Sequence, residues 1–506
     1  MEPQSLQAWQ TAERLLNAQQ TAQAREAYAA LAEDPEMAPM AHLRLSLING
    51  REGRLRDATH HALKAWEARQ SDADLLDMIA KRLYAVGEME LAASVATYDS
   101  VLTAGTPTIH ADLGKLMSFA YLPKQALQLA QRALELGMET APIHHLIGTS
   151  LQQTGDLDGA EGEFEAALAA HPDYAHAAWA LATLRNWTHA NNHVERLRAD
   201  VARVGEAHAE SALFHYALFK ELDDLGEYAQ AWPMLETALR LRRATMRYDN
   251  ADTQALFAYL GTLDAGTSTF EPREGDPTPI FIVGMPRSGQ TLLEQSLGAH
   301  SQVAAGGELR EFTQQLRWMV DRQGPPQPDV WLAKGAANID FAELGRRYLD
   351  HVRWHTQDKP YFTDALPVNA LNVGFIARAL PHAKFLHVTR DPMDTCFSSL
   401  KEHFPGFYGH TYDQGEMAEY YKGYRQLMAH WRRLYPDRIH DVRYGELTID
   451  PRRVAEDVLE FLSLPWEDGV VQEAPRAKGK GAWRNYEGQL APLKKALGSY
   501  GYSARD

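Results

Sequence analysis

The sequence predicts a helical repeat solenoid followed by an α/β domain with a parallel sheet. Three observations carry that expectation. Small residues fall on a 34-residue lattice through the first half, at Gly53, Gly87 and Gly155. A short apolar run at 280–283 leads into a glycine-bearing turn and then a stretch with apolar residues at helical spacing. Further β-rich runs alternate with helical stretches up to the C-terminus, the pattern of a parallel sheet whose site lies at the strand C-termini.

Length and composition set the frame. A chain of 506 residues is expected to hold about three domains. Its 45% hydrophobic and 23% charged residues are those of a globular protein. A net charge of −16 speaks against a general nucleic-acid or anionic-membrane surface, so an anionic ligand needs a local basic pocket. The single cysteine, Cys396, excludes internal disulfides and a cysteine-rich metal site, and suits a reducing compartment. The N-terminal stretch is polar and amphipathic, with no signal core, and no run approaches 18 apolar residues. A cytoplasmic protein is expected.

The repeats come first. An alanine follows the lattice residue by five positions in Gly53/Ala58, Gly87/Ala92 and Gly155/Ala160. Tyr121/Ala126 keeps the register with the glycine replaced, and Gln19/Ala24 extends it backward. The period is that of tetratricopeptide repeats. In the best copy, IGTSLQQTGDLDGAEGEFEAALAAHP (147–172), small residues let two helices approach, Phe164 fills the groove and Pro172 ends the second helix. Register fails across 186–201 and resumes at Gly226, Ala231 and Ala238. The expectation is five stacked hairpins, an irregular connector and a further hairpin within 1–262. Such an array serves either as a groove for a peptide or protein partner, or as a structural scaffold that also admits a homodimer. The adjacent pairs His60-His61 and His144-His145 do not face one another on a helix, so neither pair forms a shared metal site. Residues 263–278 are polar, without periodicity, and read as a linker.

The next element is PIFIVGMPRSGQTLLEQSLGA (279–299). Strand, tight loop and helix aim main-chain N–H groups at an anion. Gly284, Gly289 and Thr291 fit a nucleotide-triphosphate loop, but Gln290 stands where its lysine belongs. The cation sits earlier, at Arg287, whose guanidinium can fork onto phosphate or sulfate oxygens. After the loop helix, the Gly306-Gly307 turn presents Glu308 and Arg310; a carboxylate on such a turn is a candidate base for a hydroxyl. A β-type run at 361–363 leads into Asp364-Ala365-Leu366-Pro367. A strand at 384–389 runs into Arg390-Asp391-Pro392 and a helix bearing Ser398, again the geometry of an anion site. A further strand at 439–442 runs into Arg443-Tyr444-Gly445.

FIVGMPRSGQT, GGELREF, HVTRDPMDTCFSS and VRYGELTIDP, in this order, resemble the sulfotransferase family. The nearest pattern is that of bacterial tetratricopeptide-linked sulfotransferases, which are similar to protein-tyrosine sulfotransferases. The resemblance implies a P-loop-like transferase domain over 279–506 behind the repeats. It implies 3′-phosphoadenosine 5′-phosphosulfate as co-substrate, 3′-phosphoadenosine 5′-phosphate as product, and no required metal. Pro286, Arg287, Ser288, Gly289, Gln290, Thr291 and Leu292 would hold the phosphosulfate, Arg390 and Ser398 the 3′-phosphate, and Tyr444 would add a contact near the nucleotide. Glu308 would be the base, with Arg310 orienting it or the acceptor. The segment RAKGKGAW (476–483) resembles a basic loop over the 3′-phosphate, with Lys478, Lys480, Trp483 and Arg484 as its candidates.

Two positions depart from the family pattern. Gln290 replaces a threonine, and Ala365 replaces the lysine expected to touch the bridging or sulfuryl oxygens. Losing a transition-state cation commonly costs ~10²–10³ in rate. Lys359 and Lys384 are the nearby lysines that could stand in for it, but neither has the motif spacing. An altered substrate mode, a weak enzyme and a donor-binding scaffold all fit that substitution, and a P-loop kinase or NTPase is the rival from the loop alone. The acceptor is a hydroxyl of peptide tyrosine, a saccharide or a small phenol, and the repeats favour a peptide or protein.

Overall fold

The computed structural model describes residues 3–404, 406, 408–471 and 480–501. By compactness these divide into two units: 1–184 with 317–324, and 185–316 with 325–506.

The first unit is built from helical hairpins. Pro3–Asn17 pairs with Thr21–Leu31, Ala38–Arg51 with Leu55–Glu67, Pro107–Phe119 with Pro123–Glu135, and Ala141–Thr154 with Leu157–Ala170. In the third hairpin Ala73–Val86 meets a broken partner, Met89–Ser94 and Asp99–Ala104. The 34-residue lattice has a conformational cause. Gly53, Gly87 and Gly155 have φ of 81°, 92° and 94°, the left-handed turn that ends each first helix. The alanines five positions on, Ala58, Ala92, Ala126 and Ala160, are fully buried where the helices cross. A Cβ on Gly148 would lie 2.6 Å from the Phe164 ring, so the glycine makes room for the groove-filling side chain.

Tyr121 and Gln19 adopt the same left-handed turn at φ 57° and 59°, at a cost of roughly 1–2 kcal/mol for a side-chain-bearing residue. Tyr121→Gly should therefore raise stability by about 0.5–1 kcal/mol, net of the extra freedom that glycine gives the unfolded chain. Chemical denaturation of the two proteins checks this; a destabilised variant would mean that the Tyr121 side chain contributes more than its strained backbone costs.

The second unit opens with the stretch predicted to be irregular, which holds a short bridge, Thr188 to Asn191, and a helix, Val194–Val204. A hairpin follows, Ser211–Asp224 with Tyr228–Thr245, turning at Gly226 (φ 76°) and burying Ala231 and Ala238. The compact division thus groups this hairpin with the α/β domain, although it shares the repeat register. The linker has no regular structure before Thr278, yet Phe270 is buried and Asp276 is paired with Arg346 at 2.7 Å and with Arg353 at 3.2 Å.

Five parallel strands form the sheet: β1 (Thr278–Gly284), β2 (Val303–Ala305), β3 (Tyr361–Asp364), β4 (Lys384–Thr389) and β5 (Ile439–Arg443), in the order β2-β3-β1-β4-β5. The sequence shows four of these; β2 is too short to display a period. Alternation along the strands splits the core. Ile280, Ile282, Val303, Leu386, Val388 and Val442 pack with Leu293, Leu297 and Val458 on one face. On the other, Phe281 stacks on Phe385 and Tyr348 at 5.6 and 5.7 Å. With every strand running the same way, all five C-terminal ends open on one rim.

Candidate active site

Each strand delivers a motif to that rim: β1 the loop Met285 to Gly289, β2 the Gly306-Gly307-Glu308 turn, β3 Asp364 and Ala365, β4 Arg390, and β5 Tyr444. Arg287 itself has φ 67°, strained for a non-glycine residue. Its left-handed turn leads the loop into the start of the helix Gln290–Gly298, whose first N–H groups suit an anion, while the Ser288 N–H is taken by the Met285 carbonyl at 3.2 Å. The side chain of Arg287 is exposed, with Nε 3.5 Å from Glu402.

Gly289 has φ 109°, and a Cβ there would sit 2.3 Å from Cδ2 of Tyr444. The tyrosine ring therefore lies directly on the loop. The Arg390 guanidinium stacks over that same ring at 5.0 Å and donates from Nη1 to the Arg287 carbonyl at 2.9 Å. The two arginine-bearing turns thus touch. Ser288 is buried within the loop, and Pro286 offers its carbonyl to the Ser399 hydroxyl at 3.4 Å. Thr291 is exposed on the first turn of the helix, and Leu292 packs against the apolar face of the sheet. The Gln290 side chain is buried and donates to the Met285 carbonyl at 2.7 Å. Its amide stitches the loop from inside, and what remains for an anion is its main-chain N–H.

The helix Pro392–Leu400 is capped by Asp391, which accepts the Asp394 N–H at 2.8 Å. Ser398 is half-buried on its last turn. The far end of the basic segment is tied to this helix: Gly481 N–H lies 2.9 and 2.8 Å from the two Asp394 oxygens. Lys480 is exposed beside that anchor; Lys478 lies outside the described residues. Trp483 is buried under the Arg484 and Lys494 cations, which stand 5.0 and 5.2 Å over its ring. The preceding hairpin buttresses the region. Tyr216 donates to the Leu400 carbonyl at 3.2 Å, while Lys401 and Tyr486 both hold Asp223, at 3.1 and 2.7 Å.

Glu308 and Arg310 are exposed at the end of β2. Both act on Tyr408, whose hydroxyl is pushed up by burial, raised further by the Glu308 charge and pulled back by Arg310. Ala365 is buried in the apolar cluster, and its N–H bonds the Gly307 carbonyl at 2.8 Å. The two lysines that could have stood in for a cation here do not reach the rim. Lys359 precedes β3 and donates to the Val303 carbonyl at 2.9 Å, at the strand N-termini. Lys384 begins β4, with its ammonium 4.9 Å over the Phe461 ring. Each is a strand length from where Ala365 sits.

Three acids were given no role from the sequence. Burial pushes the Glu402 carboxyl up, with Arg287 and Lys401 pulling it down. Asp364 is fully buried and held well above the carboxylate range by burial, while accepting from Leu366 N–H and the Tyr348 hydroxyl. Glu294 accepts two hydrogen bonds beside the Glu308 turn. Among the described residues no cluster of three His, Cys, Asp or Glu side chains is placed to hold a metal, and no helix is long and apolar enough to cross a membrane.

Comparison with known proteins gives this geometry a class. Residues 279–468 match the model of the sulfotransferase family, so the parallel-sheet region is a sulfotransferase-family domain behind a tetratricopeptide-like helical region. The chain is 30% identical over 315 residues to an uncharacterized protein of Aquifex aeolicus, covering 56% of this chain and 41% of that one. It is 29% identical over 199 residues to a protein-tyrosine sulfotransferase of Drosophila melanogaster, covering 38% of this chain and 39% of that one. The chain therefore spans about two fifths of the length of these relatives. Among solved structures, a tetratricopeptide repeat protein from Parabacteroides merdae aligns with a TM-score of 0.35 at 17% identity, over 48% of this chain and 94% of that one.

Proposed function

We propose that this protein is a sulfotransferase moving a sulfuryl group from 3′-phosphoadenosine 5′-phosphosulfate to a hydroxyl acceptor. The observation that carries the reading is the direct contact between the Arg390 guanidinium and the Arg287 carbonyl at the strand C-termini. One bisphosphorylated adenosine can then meet both basic turns. The residues fit such a donor: a strained anion loop, a guanidinium at each end, and the Tyr444 ring between them.

In the reaction, the acceptor oxygen bonds to sulfur as the sulfur–oxygen bond to the 5′-phosphate breaks. The acceptor proton passes to the Glu308 carboxylate. Charge developing on the leaving phosphate is met by Arg287 and by loop N–H groups, which need no reorganisation at that moment. With an alanine at 365, Arg287 and Arg310 are the cations this reading assigns to the transfer. A phenol loses its proton only near pH 10, hence the need for a base. Peptide tyrosine is the acceptor we favour, presented by a partner on the repeats, in the cytoplasm; the tyrosine-sulfating relatives and the repeat array support this.

A kinase or NTPase reading is disfavoured because Gln290 occupies the lysine position and spends its amide on the loop. Transfer of isotopically labelled sulfuryl from the donor to a tyrosine-peptide library, without magnesium, tests the proposal. Labelled peptide supports it; donor-independent ATP hydrolysis without labelled product would replace it with the NTPase reading.

Glu402 adds a pH dependence. Donor binding draws Arg287 away from it, and the carboxyl, already raised by burial, rises further. Binding then takes up a proton. Affinity is highest at low pH, where Glu402 is protonated in both states, and falls as pH rises from its free to its bound pKa. Calorimetry in buffers of different ionisation enthalpy reads this directly. Proton uptake should disappear in Glu402→Gln; uptake that persists in that variant would move the effect to another group.

A further inference from the structure

Glu294 lies one helical turn beyond the anion loop, on the helix Gln290–Gly298. Its Oε1 atom accepts two hydrogen bonds, from Gly307 N–H at 2.9 Å and from the Thr363 hydroxyl at 2.7 Å. The Thr363 oxygen in turn accepts Gly306 N–H at 3.2 Å. The Gly307 carbonyl accepts Ala365 N–H at 2.8 Å. Both N–H groups of the two-glycine turn and the second carbonyl are thereby fixed to one helix and one strand. Glu308 is the next residue. The close fit is visible at Gly306, where a Cβ would stand 2.3 Å from the Thr363 carbonyl oxygen.

We propose that Glu294 is the positioning residue of the base: through one oxygen it clamps the Gly306-Gly307 turn and so sets where the Glu308 carboxylate stands relative to the acceptor hydroxyl. The inference rests on the reading of Glu308 as the base and goes beyond it, since no motif assigns a role to position 294. An ion pair does not account for the residue. Among the described residues Glu294 is held by the Thr363 hydroxyl and the Gly307 N–H alone, and Ala365, two positions from Thr363 on the same face of the chain, offers no charge. A half-buried carboxylate there is explained by the two donors that converge on it. A turn containing two adjacent glycines is otherwise the least constrained backbone at the rim. Displacing a general base by about 1 Å is enough to cost ~10²-fold in rate.

Two substitutions separate the role from a merely structural one. Glu294→Ala removes the acceptor for both donors, and kcat should fall about 30- to 100-fold. The donor KM and the thermal shift given by 3′-phosphoadenosine 5′-phosphate should stay within about twofold, because that ligand is held from β1 and β4. Glu294→Gln keeps an oxygen with two lone pairs at the same place, so it should remain within about threefold of the parent in kcat. On a Glu308→Gln background, Glu294→Ala should cost nothing further, since both act through one carboxylate. If Glu294→Ala turns over like the parent while Glu308→Gln is impaired, the clamp is overturned and the base survives. If Glu294→Ala and Glu294→Gln both lose the nucleotide thermal shift, the residue serves folding instead, and the proposal fails. Undiminished activity in Glu308→Gln sinks the base reading itself, a result visible without any variant at 294.

Discussion

Arg390→Ala is expected to abolish the thermal stabilisation given by 3′-phosphoadenosine 5′-phosphate and to leave the protein unable to distinguish it from adenosine 5′-phosphate. The guanidinium does three things at once. It supplies charge beside the start of the helix Pro392–Leu400, stacks on Tyr444, and holds the Arg287 carbonyl at 2.9 Å. Hydrogen bonds to charged groups contribute roughly 1.5–3 kcal/mol each, so losing a forked contact to a phosphate lowers affinity by about 10²-fold or more. The loss is not one of folding. Arg390 is only half-buried and its neighbours on β4 are packed independently of it. The parent melting temperature without ligand should hold within a few degrees. A melting shift with nucleotide equal to that of the parent would place the 3′-phosphate elsewhere.

Glu308→Gln carries the second large effect: a fall of ~10²–10⁴ in kcat with nucleotide binding intact, the range expected for removal of a general base. The side chain is exposed, and the amide has the same shape, so stability should change by less than about 0.5 kcal/mol. The acceptor makes the result diagnostic. A phenol acidic enough to ionise unaided near neutral pH needs no base, so the deficit should shrink as the acceptor pKa drops. A deficit that is equal for weakly and strongly acidic phenols would show that Glu308 binds or orients the acceptor instead. Tyr408 feels the charges of both Glu308 and Arg310.

Much of this architecture is legible in the sequence because it is written locally. The repeat register exists because a left-handed turn and a buried helix crossing recur at Gly53/Ala58, Gly87/Ala92 and Gly155/Ala160. Even the exceptions at Tyr121 and Gln19 keep the conformation. The anion loop and Arg390 are likewise short segments whose geometry follows from strand, turn and helix. What sequence reasoning missed depends on contacts between distant positions. Glu402 meets Arg287 across 115 residues, Glu294 meets Thr363 across 69, and Gly481 reaches Asp394 across 87. No spacing rule relates such pairs. Lys359 and Lys384, which lack the motif spacing, show the converse. Lys359 is close to Ala365 along the chain and Lys384 begins a strand two places over in the sheet, but a parallel sheet separates the two ends of each strand, and both lysines stand at the wrong end. Strand β2 escaped because three residues before a glycine pair carry no period.

Both basic turns are proposed to serve one nucleotide. Calorimetric affinities of the parent protein for 3′-phosphoadenosine 5′-phosphate, adenosine 5′-phosphate and adenosine 3′-phosphate test this most directly. The bisphosphate should bind at least ~10²-fold more tightly than either monophosphate, since each arginine adds a charge-assisted contact that the other cannot replace. Equal affinity for the bisphosphate and adenosine 5′-phosphate, or a preference for magnesium ATP, would contradict it.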